Sequence, residues 1–104
     1  MKFGLNSSTL QKLQSVFEKY REIEEVLIYG SRAKGNYREG SDIDITLKGE
    51  RLTHNHLTSI KQDMDELNTP YLFDISIYHL LKSHSLVEHI DRVGRVFYQH
   101  KEKV

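Results

Sequence analysis

The sequence predicts a small α+β domain, in which a mixed β-sheet has helices packed on one side. Short apolar runs of strand length alternate along the chain with segments whose apolar residues recur at helical spacing. A chain of 104 residues is long enough for one domain with its own core, so we expect a single domain over residues 1–104. No change of composition indicates a linker, and no internal repeat is visible.

The first predicted elements are a helix, a strand and a turn. Ser8 and Gln11 have the spacing of a capping box, and an apolar helical stripe runs from Leu10 to Tyr20. A buried strand is expected from Glu25 to Tyr29, because this short segment is mostly apolar. It ends in a Gly-Ser turn at Gly30 and Ser31, and Ser31 is placed to cap a short helix that begins at Arg32.

The chain then continues with a strand and a long helix. The second strand is expected over residues 42–48, where apolar and polar residues alternate. The second long helix should run from Thr53 or Asn55 to Asn68. Pro70, the only proline, comes just after this helix and is consistent with its end.

The last third of the chain repeats the alternation. A third strand should span about Tyr71 to Tyr78, and a helix should run from Leu80 or Ser85 to Val93. Gly94 can end that helix, and residues 96–98 predict a short last strand. The sequence does not determine the order of the strands in the sheet.

Three aspartates form the main candidate site. Asp42 and Asp44 alternate with apolar residues in the second strand, so both carboxylates leave the same face. Like charges at this spacing repel unless a cation holds them, and hard oxygen ligands suit Mg²⁺ or Mn²⁺. Asp74 interrupts the more polar side of the third strand. The three aspartates therefore converge if these two strands are neighbours.

The turn at Gly30 and Ser31 is the second part of the candidate site. A turn of this kind presents free backbone N–H groups to a phosphate. Arg32 and Lys34 follow in the same turn and are candidate phosphate contacts. Each of the two is equally compatible with an ordinary surface charge.

A second Asp-x-Asp pair, Asp63 and Asp65, receives a different interpretation. It lies in a helical pattern, where residues two apart point to opposite sides. We therefore expect Asp63 and Asp65 to belong to a solvated helix face.

Charge and composition exclude several classes of protein. The 15 basic and 15 acidic residues give a formal net charge of zero, so no long-range field draws the chain to nucleic acid or to an acidic membrane. Strong nucleic-acid binding and template copying are not expected. The absence of cysteine excludes disulfides and thiolate metal sites. No apolar run approaches ~18 residues and no signal-peptide segment is visible, so we expect a soluble cytoplasmic protein without membrane association.

Gly30-Ser31, ten further residues and then Asp42-Ile43-Asp44 resemble the signature of the nucleotidyltransferases related to DNA polymerase beta. In length and element order the chain is similar to their smallest members, the minimal nucleotidyltransferases. The resemblance implies a polymerase beta-like nucleotidyltransferase fold and metal-dependent use of a nucleoside triphosphate, with ATP as donor. It also implies that Gly30 and Ser31 hold the triphosphate, that Asp42 and Asp44 bind two Mg²⁺ ions, or Mn²⁺, and that Asp74 is the third catalytic carboxylate.

The same resemblance implies a partner. Minimal nucleotidyltransferases are commonly encoded beside a helical HEPN protein, often a toxic ribonuclease, and act as its antitoxin. Family members can transfer AMP from ATP to a tyrosine of that toxin. The leading hypothesis is therefore an antitoxin that is a protein adenylyltransferase. Whether the chain forms a homo-oligomer or a hetero-oligomer is not readable from the sequence.

Two other functions stay open. The first is a binding module that neutralises or scaffolds a helical partner by contact, with an occupied but idle nucleotide site. Apolar residues of the last third of the chain could dock such a partner, although core packing is the more common fate of such residues: Leu80, Leu81, Leu86, Val87, Ile90, Phe97 and Tyr98. The second is a transferase that acts on a small hydroxylated molecule.

Overall fold

The computed structural model describes residues 3–35 and 42–100, which form helices and strands in the predicted alternation. The elements in chain order are α1 (Ser7–Glu18), β1 (Glu25–Tyr29), α2 (Ser31–Lys34), β2 (Ile43–Lys48), α3 (His54–Asp65), β3 (Phe73–Ile77), a 3₁₀ turn (Tyr78–Leu80), α4 (His84–Val93) and β4 (Arg95–Gln99). The predicted α+β fold class is confirmed.

The four strands of the described residues form one mixed sheet with the order β3-β2-β1-β4. β1 pairs antiparallel with both β2 and β4, whereas β2 and β3 run parallel. The parallel pair is joined through α3, as a crossover between parallel strands requires. β2 and β3, which carry the candidate aspartates, are therefore direct neighbours.

The main hydrophobic core lies on one face of the sheet, beneath α1 and α3. Alternate residues of the strands point into it, as the twofold repeat of a strand demands. Its largest fully buried side chains include Phe17 of α1, Ile28 of β1, Ile45 of β2 and Ile60 of α3. Burying a side chain of this size stabilises the fold by about 1.5–3 kcal/mol.

The position of α4 departs from the expectation of helices on one side. Leu27 and Tyr29 of β1 point away from the main core and pack with Ile90 of α4 in a second cluster. The reason is that β1 is apolar at consecutive positions, so both of its faces must be covered. α1 and α3 therefore cover one face of the sheet, and α4 covers part of the other.

Most of the apolar residues of the last third that could have docked a partner pack against the hydrophobic core instead. Ile90 is buried, and the others that pack against the two clusters are Leu80, Leu81, Leu86, Phe97 and Tyr98. These side chains stabilise the fold and offer little free apolar surface.

The helix ends show which local signals were correct. Asn6, not the expected Ser8, caps α1: its Oδ1 accepts a hydrogen bond of 2.8 Å from the Thr9 N–H. Thr53 caps α3, which agrees with the earlier of its two expected starts. α3 ends at Asp65, and Asn68 beyond it has a φ of 53°, outside the right-handed helical region. Within residues 3–35 and 42–100, no helix is long and apolar enough to cross a membrane.

Asp63 joins α3 to the end of α1. Its carboxylate accepts hydrogen bonds from the Tyr20 hydroxyl and, at 3.1 Å, from Lys19 Nζ. Asp63 is therefore partly exposed and bonded to two partners, which the expectation of a solvated helix face did not include, whereas Asp65 is exposed as expected. The local sequence could not indicate these hydrogen bonds, because both partners are more than forty positions away from Asp63.

This junction predicts a stability effect that depends on pH. The hydrogen bonds from Tyr20 and then Lys19 hold the pKa of Asp63 below its usual 3.8. A lowered folded-state pKa stabilises the fold above the unfolded pKa, and this contribution is lost as the pH falls through the folded value. We expect Asp63→Asn to lower the free energy of unfolding at pH 7 by about 1 kcal/mol, measured by urea unfolding. The difference should shrink as the pH falls through the lowered folded-state pKa, because the wild-type carboxyl is then protonated.

Asp65→Asn is the matched control for this experiment. Asp65 lies on the same helix and is exposed, so its substitution should leave stability within about 0.5 kcal/mol of wild type. Equal stability of wild type and Asp63→Asn at pH 7 would contradict the junction.

Candidate functional site

The polar residues of β2 and β3 share the sheet face that α4 partly covers. The alternate apolar residues of both strands point into the main core. Side chains of a strand alternate between faces, so Asp44 and Thr46 of β2 and Asp74 and Ser76 of β3 are on the opposite face. This face, which we call the aspartate face, is where the candidate site lies.

Asp44 and Asp74 are direct partners in the ladder between β2 and β3. The condition set by the sequence, that the two strands be neighbours, is thus met. On the other side of Asp44 the register pairs it with Tyr29 of β1. Asp42 lies just before β2 and is exposed. The structure therefore brings Asp42, Asp44 and Asp74 to one region of the aspartate face.

The electrostatics of Asp44 reflect this arrangement. Partial burial raises the pKa of Asp44, and the charges of Asp74 and then Asp42 raise it further. The nearby His89 of α4 acts in the opposite direction on the pKa of Asp44. The ionised carboxylates oppose one another, so a bound cation would relieve the repulsion.

The chemistry of these donors fits a hard divalent cation. All three side chains offer anionic oxygens, which Mg²⁺ and Mn²⁺ prefer. Within the part of the chain that the structure describes, no three His, Cys, Asp or Glu side chains are grouped closely enough to hold a metal ion as they stand. The assignment of metal ligands therefore depends on donor type and strand register.

Gly30 links the turn to the aspartates. Its φ of +78° lies in the left-handed region, which glycine adopts without steric cost. A side chain added there would collide with the carboxylate of Asp44. The backbone of the turn thus packs directly against Asp44, and a side chain at position 30 would displace its carboxylate.

The short helix α2 follows this turn. It begins at Ser31, one position earlier than expected, so Ser31 is the first helical residue rather than the cap. The side chains of Ser31 and Lys34, two of the candidate phosphate contacts, lie outside the described part of the structure.

Arg32 has a different place from the one the sequence predicted. Its side chain is only 3% exposed, so it is not a surface charge. Nη1 donates a hydrogen bond of 2.8 Å to the carbonyl oxygen of Phe3, and the guanidinium lies over the ring of Tyr71, 5.2 Å from the centroid. These contacts hold α2 to the amino-terminal segment and to the residues before β3. These contacts give Arg32 a structural role, and its contact with a phosphate stays a prediction.

Arg32 and Lys34 should consequently differ when each is replaced by methionine. Arg32→Met removes a buried hydrogen bond and a cation–π contact, so we expect the free energy of unfolding to fall by about 2 kcal/mol or more. If Lys34 is the phosphate contact, Lys34→Met should raise the KM for ATP about tenfold. Thermal unfolding and steady-state kinetics of both variants measure this. Normal stability of Arg32→Met would contradict the structural role.

Three residues near the aspartates were missed as site residues. Tyr29 was interpreted only as the end of β1, yet it is paired with Asp44, and its ring meets His89 edge-on with centroids 6.2 Å apart. Ser76 shares the face of Asp74, which the alternation of β3 could have indicated. His89 carried no such signal, because nothing local relates α4 to β2.

The sheet also has a cavity at the opposite end from the turn. Its volume is about 530 Å³, and its lining combines acidic and basic residues with Gln99 and His100: Arg21, Glu22, Glu24, Glu25, Lys48 and Arg51. This mixture points to no single class of ligand, so the aspartate face is the stronger candidate for chemistry.

A mixed sheet that sets a glycine turn against aspartates on adjacent strands defines a nucleotidyltransferase domain. Residues 11–103 match the family model described as polymerase beta, nucleotidyltransferase, and the chain belongs to that family. Its activity class is accordingly that of a nucleotidyltransferase. The comparison with curated proteins gave no match.

Solved structures with the same fold include toxin–antitoxin complexes. One, a toxin–antitoxin with AMP-PNP, has 18% identity and a TM-score of 0.69, over 93% of this chain and 76% of that chain. A second, a tri-AMPylated Shewanella oneidensis HEPN toxin in complex with MNT antitoxin, has 14% identity and a TM-score of 0.65, over 88% and 71%. A third, the toxin–antitoxin MntA–HepT, has 13% identity and a TM-score of 0.66, over 91% and 74%. At these identities the likeness concerns the fold.

Proposed function

We propose that this chain is a Mg²⁺-dependent adenylyltransferase that transfers AMP from ATP to a tyrosine hydroxyl of a helical HEPN toxin, and so acts as its antitoxin. The observation that carries the proposal is the pairing of Asp44 with Asp74 beside the Gly30 turn. Carboxylates and a phosphate-binding turn are the two parts that nucleotidyl transfer needs. The partner class is supported by the shared fold with chains of toxin–antitoxin complexes, one of them with an AMPylated HEPN toxin.

The turn after Gly30 would bind the donor. Backbone N–H groups at the start of α2 and the Ser31 hydroxyl would hold the β- and γ-phosphates, with Lys34 as a further contact. Because Gly30 packs on Asp44, a triphosphate held by this turn would lie next to the aspartates. Proximity of this kind lowers the barrier by fixing the reacting groups in line.

Asp42, Asp44 and Asp74 would hold the Mg²⁺ ions, which supply charge neutralisation at the α-phosphate and at the leaving oxygen. Asp74 would accept the proton of the attacking hydroxyl. The hydroxyl oxygen forms a bond to the α-phosphorus, and the bond from that phosphorus to the oxygen of pyrophosphate breaks. The products are an AMP-modified tyrosine and pyrophosphate.

The test is label transfer from ATP. The purified chain is incubated with Mg²⁺ and ATP labelled at the α-phosphate in a lysate of its source cell, and a parallel reaction contains ATP labelled at the γ-phosphate. We expect one macromolecular band labelled from the α-position only, and mass spectrometry should place AMP on a tyrosine of a helical partner. Label from the γ-position would indicate phosphoryl transfer instead.

The same reaction distinguishes adenylylation of a protein from the two alternative functions, a contact-only binding module and a transferase of small hydroxylated molecules. A partner that co-purifies without acquiring label would support the contact-only binding module. Label that appears in a small molecule and in no protein would support the transferase of small hydroxylated molecules. Either result would refute protein adenylylation.

A further inference from the structure

α4 carries the basic residues His84, His89 and Arg92, and of these three only His89 turns toward the sheet. His84 and Arg92 are exposed, whereas His89 is half-buried. The helical repeat explains the difference, because Leu86 and Val93, three positions before His89 and four after it, pack against the second cluster. His89 is therefore a polar residue on the apolar side of α4.

The position of His89 is fixed by the two residues that follow it. Ile90 is 1% exposed and packs with Tyr29 of β1. Asp91 accepts a hydrogen bond of 2.7 Å from the hydroxyl of Tyr78, which comes directly after β3. α4 is thus held both to β1 and to the end of β3, so the ring of His89 has a defined place over the aspartate face.

Tyr29 connects His89 to the candidate site. The ring of His89 meets the ring of Tyr29 edge-on, with centroids 6.2 Å apart. Tyr29 is also the ladder partner of Asp44, and partners in a ladder have their side chains on the same face of the sheet. The carboxylate of Asp44 lies against Gly30, the residue after Tyr29. His89, Asp44 and the turn at Gly30 therefore all lie beside Tyr29.

The electrostatics agree with this geometry. Partial burial raises the pKa of Asp44, and the charges of Asp74 and then Asp42 raise it further. His89 acts in the opposite direction on the pKa of Asp44, as a basic group close to a carboxylate does. On a face with three carboxylates, a basic group with N–H donors is suited to the phosphate oxygens that a metal-bound nucleotide brings there.

We infer that His89 contacts the α-phosphate of the bound nucleoside triphosphate and stabilises the negative charge that develops on its oxygens during transfer. The inference rests on the proposed function, in which the turn after Gly30 holds the β- and γ-phosphates and Asp44 lies beside the α-phosphate. His89 borders this place from α4, and its ring has an N–H to donate in either protonation state. It forms no bond to phosphorus and takes no proton from the acceptor.

His89→Phe tests the contact, because it removes the N–H donor and keeps an aromatic ring against Tyr29. The probe is α,β-methylene-ATP, which cannot release its α-phosphate, with Mg²⁺ and without an acceptor. In nitrogen-15 spectra of the six histidine rings, the signal that is missing from His89→Phe should be the one that shifts most in the wild type. In the transfer assay, kcat should fall about ten- to a hundredfold while the KM for the acceptor stays the same.

His84→Phe is the matched control, since His84 begins the same helix and is exposed. It should match wild type in both measurements. His89→Gln restores an N–H donor without the ring and should recover part of the lost kcat. A purely structural role of the ring predicts the reverse order, with His89→Phe active and His89→Gln impaired. The circular-dichroism spectrum and thermal midpoint of each variant check that it is folded.

The nitrogen-15 spectra do not require transfer. An unshifted His89 ring in the wild type, or wild-type kcat in His89→Phe, would overturn the inference even if the wild-type protein adenylylates its partner. A raised KM for the acceptor with normal kcat would assign His89 to the acceptor and would overturn it as well. A His89 signal that shifts with the nucleotide supports the inference even if no label is transferred and the proposed function fails.

Discussion

The double variant Asp42→Asn with Asp44→Asn is expected to lose nucleotidyl transfer by on the order of a thousandfold or more while remaining folded. Asparagine keeps the size of the side chain and removes the negative charge that a hard cation requires. The measurement is the rate of label transfer from ATP, together with a circular-dichroism spectrum. Unchanged turnover with a native spectrum would refute the role of these aspartates in metal binding.

Stability should change in the opposite direction from activity. Burial and the charges of Asp74 and Asp42 raise the pKa of Asp44, so its ionised form opposes folding. A raised folded-state pKa means that stability is greater below the unfolded pKa and is lost as the pH rises through the folded value. In the absence of metal at pH 7, the double variant should therefore be as stable as wild type in urea or more stable. This advantage should shrink near pH 3.

A charge-matched control uses Asp65→Asn with Glu66→Gln. Both residues are exposed at the end of α3, so the pair changes the net charge by the same amount, away from the aspartate face. This control should retain full transfer. If it lost activity as well, the effect of the aspartates would reflect the overall charge of the protein.

The face of the sheet on which Asp44 and Asp74 lie was predictable because it depends on local periodicity. Alternation in β2 and β3 assigned Asp44 and Asp74 to the face opposite the apolar residues, and the structure has both strands with this alternation. The strand from Glu25 to Tyr29 was predicted with its observed bounds, since a continuous apolar run has few other interpretations. That Asp44 and Asp74 bind a metal ion remains a prediction, which the experiments above address.

What the sequence could not supply was long-range pairing. From the sequence, the convergence of the aspartates depended on the assumption that β2 and β3 are neighbours. Strand order could not be derived, because it is determined by how the whole sheet packs over its core. The environments of Arg32 and Asp63 could not be predicted for the same reason. A charged residue is by default exposed. Distant partners bury Arg32 against Phe3 and Tyr71, and they connect the partly exposed Asp63 to Tyr20 and Lys19.

Gly30→Ala is expected to be the most damaging single substitution of the candidate site. A φ of +78° costs a residue with a Cβ about 1–2 kcal/mol, and the added methyl group would also collide with the Asp44 carboxylate. Either the turn or Asp44 must then move, and both belong to the proposed site. We expect at least a hundredfold loss of kcat/KM for ATP, measured in the transfer assay, and a lower midpoint in urea.

Gly35→Ala separates the two causes. Gly35 has a similar φ of +83°, but a Cβ there would meet none of the described residues within 4 Å. The variant should therefore share the backbone cost in urea and retain most of the activity. The excess loss of activity in Gly30→Ala then measures the contact of the turn with Asp44. Equal losses in the two variants would mean that backbone strain alone is responsible, and that the packing of Gly30 on Asp44 is not needed for transfer.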